Sequence, residues 1–333
     1  MTAEQLVQSG YCDPIRVFVK NEPHSEAKLS EGRYRLIMSV SLVDQLVERI
    51  LCSEQNSLEI AQFEHLPVKP GMGFSSDKVH AIGDYLEEFE AKVSSDVSGW
   101  DWSVSGAELM FDAKRRIRAA GVPMDHPYAS CLVNRAICLS RSVISFSDGF
   151  MVAQRFDGLQ KSGSYNTSSG NSWIRVAAAV YCGASRVAAM GDDCVDSGFD
   201  ALMMRDIGHS VKSAEVVSSA SPSWRELCSM WPGELQKEVR ELLESSCWKF
   251  FDSALAPYAD FCSHFWCRLG GDHVVVYSGW RKSLFRLMNQ RVDKREHFLE
   301  FVAMMSYNPA MPYCVHVLMS CDWFPTPDRS CLV

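Results

Sequence analysis

The sequence predicts an α+β fold in which short antiparallel strands are backed by helices. Three observations carry that expectation. Val187–Met190 and residues 194–195 are apolar runs on either side of Gly191, which tolerates the positive φ of a tight hairpin. A further short strand ends at Val97, directly before the bend at Ser98-Gly99. Apolar residues then recur at helical spacing over 84–93, 104–120, 172–182 and 295–306. Residues 65–73, punctuated by Pro67, Pro70, Gly71 and Gly73, form a loop ahead of the first of these helices.

The hairpin tip carries Asp192 and Asp193, so two adjacent carboxylates stand on a rigid turn. Asp96, at the edge of the strand ending at Val97, can join them. Magnesium prefers oxygen ligands and is usually held by a few carboxylates together with substrate phosphates. A pair of such ions activates an attacking hydroxyl and stabilises a leaving pyrophosphate. Two plainer readings compete: a surface turn whose aspartates bond their own backbone, and an Asp96 that caps the next helix. Both acidic elements in one chain favour the metal-binding reading.

Between the acids, residues 160–171 are a run of small hydroxyl and amide side chains leading into the 172–182 helix. A loop feeding a helix N-terminus exposes backbone N–H groups and the positive end of the dipole, which suits phosphate or ribose. A plain linker would rarely lead straight into Trp173, Ile174, Ala177 and Tyr181 at helical spacing. Near the amino end, Lys20, Lys28, Arg33 and Arg35 can meet a triphosphate; salt bridges to Glu22, Glu26 and Glu31 are the competing use of their charge. Lys114, Arg115, Arg116 and Arg118 form a further basic cluster on a helix, facing RNA or water.

In their order, these elements resemble the viral RNA-dependent RNA polymerases. Val19-Lys20-Asn21-Glu22-Pro23-His24, Gly32-Arg33-Tyr34-Arg35-Leu36-Ile37, Asp96 to Trp102, Lys161 to Asn171 and Ala189 to Asp193 are most similar to the sobemovirus-like and polerovirus-like viruses. The resemblance implies a right-hand polymerase with an antiparallel palm sheet flanked by helices. Fingers are expected over 1–80, palm over 81–120, fingers again over 121–155, palm over 156–267 and thumb over 268–333.

It further implies that Asp96 and Asp192 bind catalytic metals with Asp193 assisting, and that Asp101 and Asn171 read the ribose 2′-hydroxyl. Ser162, Gly163 and Thr167 would adjust around the nascent pair, and Lys20, Lys28, Arg33 and Arg35 would meet the triphosphate. Lys212 is expected as general acid for pyrophosphate. Cys262, Ser263 and His264 would form the primer grip. The implied reaction is template-directed attack of a 3′-hydroxyl on a ribonucleoside triphosphate, assisted by magnesium or, in its place, manganese. Implied partners are template and product RNA, the triphosphates, a genome-linked protein primer and other viral replication proteins, in host cytoplasm at membrane-associated complexes. Relatives usually carry a longer region ahead of the counterpart of Lys20, so truncated outer fingers are expected.

A reverse transcriptase is one alternative, but it commonly places an aromatic or small gate where Asp101 stands. A polymerase-like RNA-binding scaffold is the other, disfavoured by the presence of all three acids. Composition is compatible with the polymerase. At 333 residues and 47% hydrophobic the chain can bury a substantial core, and a net charge of −8 argues against a broadly basic nucleic-acid binder. Thirteen cysteines without CxxC pairs fit buried thiols in a reducing compartment. No apolar stretch approaches the roughly 20 residues that cross a bilayer.

Overall fold

The computed structural model describes residues 11–24, 26–217, 229–243, 256–290, 294–321 and 323. Residues 1–10 of the expected fingers and 324–333 of the expected thumb lie outside these. Contacts divide the chain into two compact units, residues 1–73 with 85–215, and residues 74–84 with 216–333. The chain begins with β1 (Ile15–Val19), α1 (Glu26–Ser30), β2 (Leu36–Ser39), α2 (Leu42–Ala61) and α3 (Ser76–Glu87). It continues through β3 (Val93–Val97), α4 (Trp100–Ser103), α5 (Gly106–Ala119), α6 (Pro127–Ser140), β4 (Val143–Ser145) and β5 (Met151–Ala153). Then follow α7 (Thr167–Tyr181), β6 (Val187–Met190), β7 (Asp193–Asp196), α8 (Ala201–Asp206) and β8 (Val211–Val216). The last part holds α9 (Gln236–Leu243), β9 (Pro257–Phe261), β10 (His264–Leu269), β11 (Asp272–Tyr277), α10 (Trp280–Met288), α11 (Lys294–Met304) and α12 (Met311–Ser320).

The first unit contains two sheets, ordered β2-β1-β4-β5 and β6-β7-β3-β8. In the second of these, β7 runs antiparallel to both β6 and β3, with Ala189 and Ser95 both opposite Cys194. Val187, Ala189 and Cys194 turn inward and pack on Val176 and Ala179 of α7 and on Cys182 at its C-cap, so the hairpin rests on that helix. Burial of such side chains stabilises by about 1.5 to 3 kcal/mol for each large aliphatic residue. Helix α5 starts at a capping box, in which Ser105 accepts from the Glu108 backbone and Glu108 from that of Ser105.

The second unit has a three-stranded antiparallel sheet, β11-β10-β9. Gly83 of α3 belongs here for a steric reason, since a Cβ at that position would stand 2.3 Å from the His273 ring. Its helical core gathers Trp280, Leu284 and Leu287 with Phe298, Phe301, Cys314 and Leu318. No described helix is long and apolar enough to cross a membrane.

Three helices differ from the sequence expectation. The segment expected as a helix over 84–93 is instead the end of α3 followed by a turn and the start of β3. The buried triad Val79, Ile82 and Leu86 sets the helical register, while Val93 belongs to the strand. Helix α7 begins at Thr167 rather than 172, so Ser169 and Asn171 are buried helical residues, not loop or cap. The helix expected over 104–120 is interrupted at its start: α4 is one separate turn, and α5 follows the Ser105 cap. The 295–306 expectation matches α11 within two residues at either end.

Candidate active site

The carboxylates are assembled by strand register. Ser95 pairs with Cys194, which brings Asp96, the next residue of β3, alongside the β6–β7 hairpin tip that bears Asp192 and Asp193. Gly191 adopts φ +67° in that turn, and its N–H donates to Ser172 Oγ at 2.8 Å, fixing the tip to α7. All three carboxylates face solvent. Lys212 of β8 donates from Nζ to Asp96 Oδ2 at 2.7 Å.

Beneath the tip, Arg175 is fully buried and donates to Ser95 Oγ, which donates to Asp196 Oδ2 at 2.8 Å. Its guanidinium lies 5.4 Å from the Phe199 ring centre and 5.8 Å from that of Trp100. Burial raises the Asp196 pKa, against the lowering effect of the Ser95 bond. This network locks β3 to β7 at the position that sets Asp96 beside the hairpin. Nothing in the local sequence marked Arg175 or Asp196, because their partners come from three separate elements.

The expected ribose pair is in contact, with Asn171 Nδ2 donating to Asp101 Oδ1 at 3.2 Å. Asn171 Oδ1 is buried and has no partner among the described residues. Burial raises the Asp101 pKa; the Asn171 bond and Arg35 oppose that, and Asp192 adds to it. Arg35 is therefore near the site. Its guanidinium also lies 3.9 Å from Glu22, Lys20 pairs with Glu22 at 3.2 Å, and Arg33 pairs with Glu31. For these three cations the competing salt bridges are present. Lys28 is exposed on α1.

The 160–167 loop is fastened to the protein on every side. Ser162 Oγ accepts from Met38 N, and Thr167 Oγ1 donates to Lys161 O and Ser164 O. Gly163 passes so close to β2 that a Cβ would meet Met38 O at 2.6 Å. Ser164 Oγ donates to Glu48 Oε2, and Glu48 with Asp44 holds the buried Arg135. Lys161 is buried, donates to Gln154 Oε1 and Leu159 O, and is lowered to about 8 by that burial.

The basic cluster on α5 corrects the expectation of an outward face. Arg116 is buried against Asp112, Asn56 and Ser169, while Arg115 spans Asp112 and Glu59. Lys114 and Arg118 alone of the four are exposed. Sequence reasoning also passed over Lys69, which is fully buried in the 65–73 loop, and the His209–Glu108 pair, joined at 2.6 Å. A lysine inside a Pro- and Gly-bounded loop reads as exposed until the loop is seen paired through Val68 with Ala189 of β6.

Cys262, Ser263 and His264 lie in the second unit. Cys262 and Ser263 both take positive φ, 55° and 60°, to turn β9 into β10. His264 is buried, stacks on Phe74 at 3.7 Å between ring centres, and is lowered in pKa by that burial.

A profile of viral RNA-directed RNA polymerases matches residues 1–83 and 92–212, a span that holds every residue of the carboxylate and ribose clusters. The chain belongs to the viral RNA-directed RNA polymerase family. Protein P1-P2 of turnip yellows virus is 45% identical over 231 residues, covering 64% of this chain and 22% of that protein. Replicase polyprotein P2AB of southern bean mosaic virus is 47% identical over 214 residues, covering 62% and 22%. The chain thus spans about a fifth of the length of these relatives, which come from the plant-virus groups its motifs resemble. Among solved structures, the Sicinivirus 3Dpol RNA-dependent RNA polymerase superposes with a TM-score of 0.57 at 14% identity, over 85% of this chain and 57% of that one. That likeness establishes the polymerase fold, the α+β architecture expected from the sequence.

Proposed function

We propose that this chain is the catalytic core of a viral RNA-directed RNA polymerase, extending RNA by transfer of nucleotides from ribonucleoside triphosphates. The observation that carries the reading is the convergence of Asp96 with the Asp192-Asp193 tip, beside the Asp101–Asn171 contact. The donor set fits a hard divalent cation, since it offers three exposed carboxylates, and Asp96 already attracts the Lys212 ammonium. Magnesium, or manganese, held by Asp96 and Asp192 with Asp193 assisting, supplies Lewis-acid polarisation of phosphate oxygens and activation of the attacking hydroxyl.

The chain's own residues bind, orient and move protons. Asn171 Oδ1 offers an acceptor to a ribose 2′-hydroxyl, and Asp101 offers a second; a deoxyribose leaves that buried acceptor unpaired, which discriminates better than size. Lys212, once drawn from Asp96, has a proton to give to departing pyrophosphate. Arg35 stands near Asp101 to meet the triphosphate, with Lys20, Lys28 and Arg33 flanking it. Ser162, Gly163 and Thr167 hold the loop that carries α7 into position. We read 1–80 and 121–155 as fingers, 81–120 and 156–267 as palm, 268–333 as thumb, and Cys262, Ser263 and His264 as the primer grip. Viral RNA is the template in this reading, in the host cytoplasm.

The test is ribonucleotide incorporation on a short primed RNA template in magnesium, comparing the chain with Asp192→Ala. Template-dependent extension lost in the variant is the expected result. Extension by both proteins, or by neither while both are folded, refutes the proposal.

A further inference from the structure

We infer that His209 is a positioning residue that sets the reach of Lys212, an inference that rests on the polymerase reading above. His209 is fully buried at the end of the turn that leads into β8. Its ring lies flat on Trp100, with centres 4.5 Å and planes 19° apart. Both ring nitrogens are engaged, Nε2 at 2.6 Å from Glu108 Oε1 and Nδ1 at 2.8 Å from Ser103 Oγ. A carboxylate accepts only, so Nε2 carries the hydrogen it shares with Glu108. Glu108 is itself held, because its Oε2 accepts from Ser105 N and Ser105 Oγ, each at 2.7 Å. The His209 N–H donates to Met204 O at 3.0 Å, so the residue is gripped from α4, α5 and α8 at once.

What this grip positions is the strand that follows. Ser210 O accepts from Ser98 N at 2.8 Å, and Lys212 then reaches Asp96. The start of β8 is thereby pegged to residues 96–103, the segment that carries Asp96 and Asp101. A lysine side chain has wide rotamer freedom, so the place its ammonium can reach depends on where its Cα is held. A strand advances about 3.3 Å per residue and alternates faces, so a slip of one residue would turn Lys212 away from the carboxylates. A buried imidazole–carboxylate pair is weak support for stability compared with apolar packing, which leaves register as its use here.

The test is a double-mutant cycle in the 333-residue chain, reading kcat and KM for ribonucleotide on primed RNA, with thermal unfolding in parallel. His209→Phe keeps the stack on Trp100 but loses both polar bonds. We expect kcat to fall roughly tenfold with KM changed less than about twofold. His209→Gln, whose amide can donate to Glu108, recovers most of that loss. In a Lys212→Ala background, His209→Phe produces no further fall. Should His209→Phe not fold, Ser103→Ala, which removes the Nδ1 contact together with the Ser103 Oγ bond to Trp100 O, takes its place in the same cycle. Equal fold losses in both backgrounds, or an effect confined to KM, overturns the inference while leaving the polymerase reading intact. A wild-type chain that does not extend RNA, or an active Asp192→Ala variant, refutes the polymerase reading and this inference with it.

Discussion

Lys69→Met probes a buried amine that secures the loop beside the β6–β7 hairpin. Lys69 has no exposed surface, donates from Nζ to Phe63 O at 2.7 Å and Leu66 O at 2.6 Å, and lies 3.4 Å from the centre of the Tyr85 ring. Its main chain pairs with Ala189 of β6. Burial pulls its pKa from the ordinary 10.5 to about 7. Above pH 7 the folded chain releases this proton while the unfolded chain keeps it up to 10.5. The unfolded state therefore binds more protons in that window, and stability rises with pH. The slope approaches about 1.4 kcal/mol per pH unit, which amounts to roughly 1.5 to 2 kcal/mol between pH 7 and pH 8.5. Above pH 9 the buried thiols of Cys194 and Cys267, pushed up to about 12, impose the opposite slope, so the window ends before them. Urea unfolding of wild type and Lys69→Met across pH 7 to 8.5 isolates the lysine, because other groups cancel in the difference. The difference should move against the Met variant as pH rises. Parallel stability curves for the two proteins would refute the reasoning, since they would mean Lys69 keeps its proton throughout.

Asn171→Ala should reduce preference for ribonucleotides over deoxyribonucleotides by roughly tenfold or more, measured by single-nucleotide extension with each; an unchanged ratio removes Asn171 from ribose selection. Arg116→Met takes the buried guanidinium from Asp112 Oδ2, Asn56 and Ser169, leaving Asp112 to Arg115 alone, and should lower unfolding free energy by about 1 to 3 kcal/mol, with a loss under about 1 kcal/mol counting against the buried network. Gly163→Ala forces a Cβ to 2.6 Å from Met38 O and should destabilise by about 1 to 3 kcal/mol in urea, whereas an unaltered midpoint shows that β2 yields without strain.

The sequence by itself determined the hairpin at Gly191, the strand ending at Val97, the order of the acidic elements and, through them, the family. These follow from chemistry within a few residues: glycine at positive φ, short apolar runs, turn residues between them. Through resemblance it also named Asp101 and Asn171 together, and the structure places the two in hydrogen-bonding contact. It misplaced the start of α7, because Ser168, Ser169 and Gly170 have loop propensity, which burial of Ser169 against Arg116 and Glu59 overrides. Only the tertiary structure turned Arg115 and Arg116 inward, buried Lys69, joined Arg175 to Asp196 through Ser95, and paired His209 with Glu108. Whether a charge faces water or a partner depends on elements brought together across 50 or more residues, as Arg115 with Glu59 and His209 with Glu108 illustrate. Desolvating an unpartnered charge costs more than any local propensity can offset, so the partner's place in the fold decides where each of these residues goes.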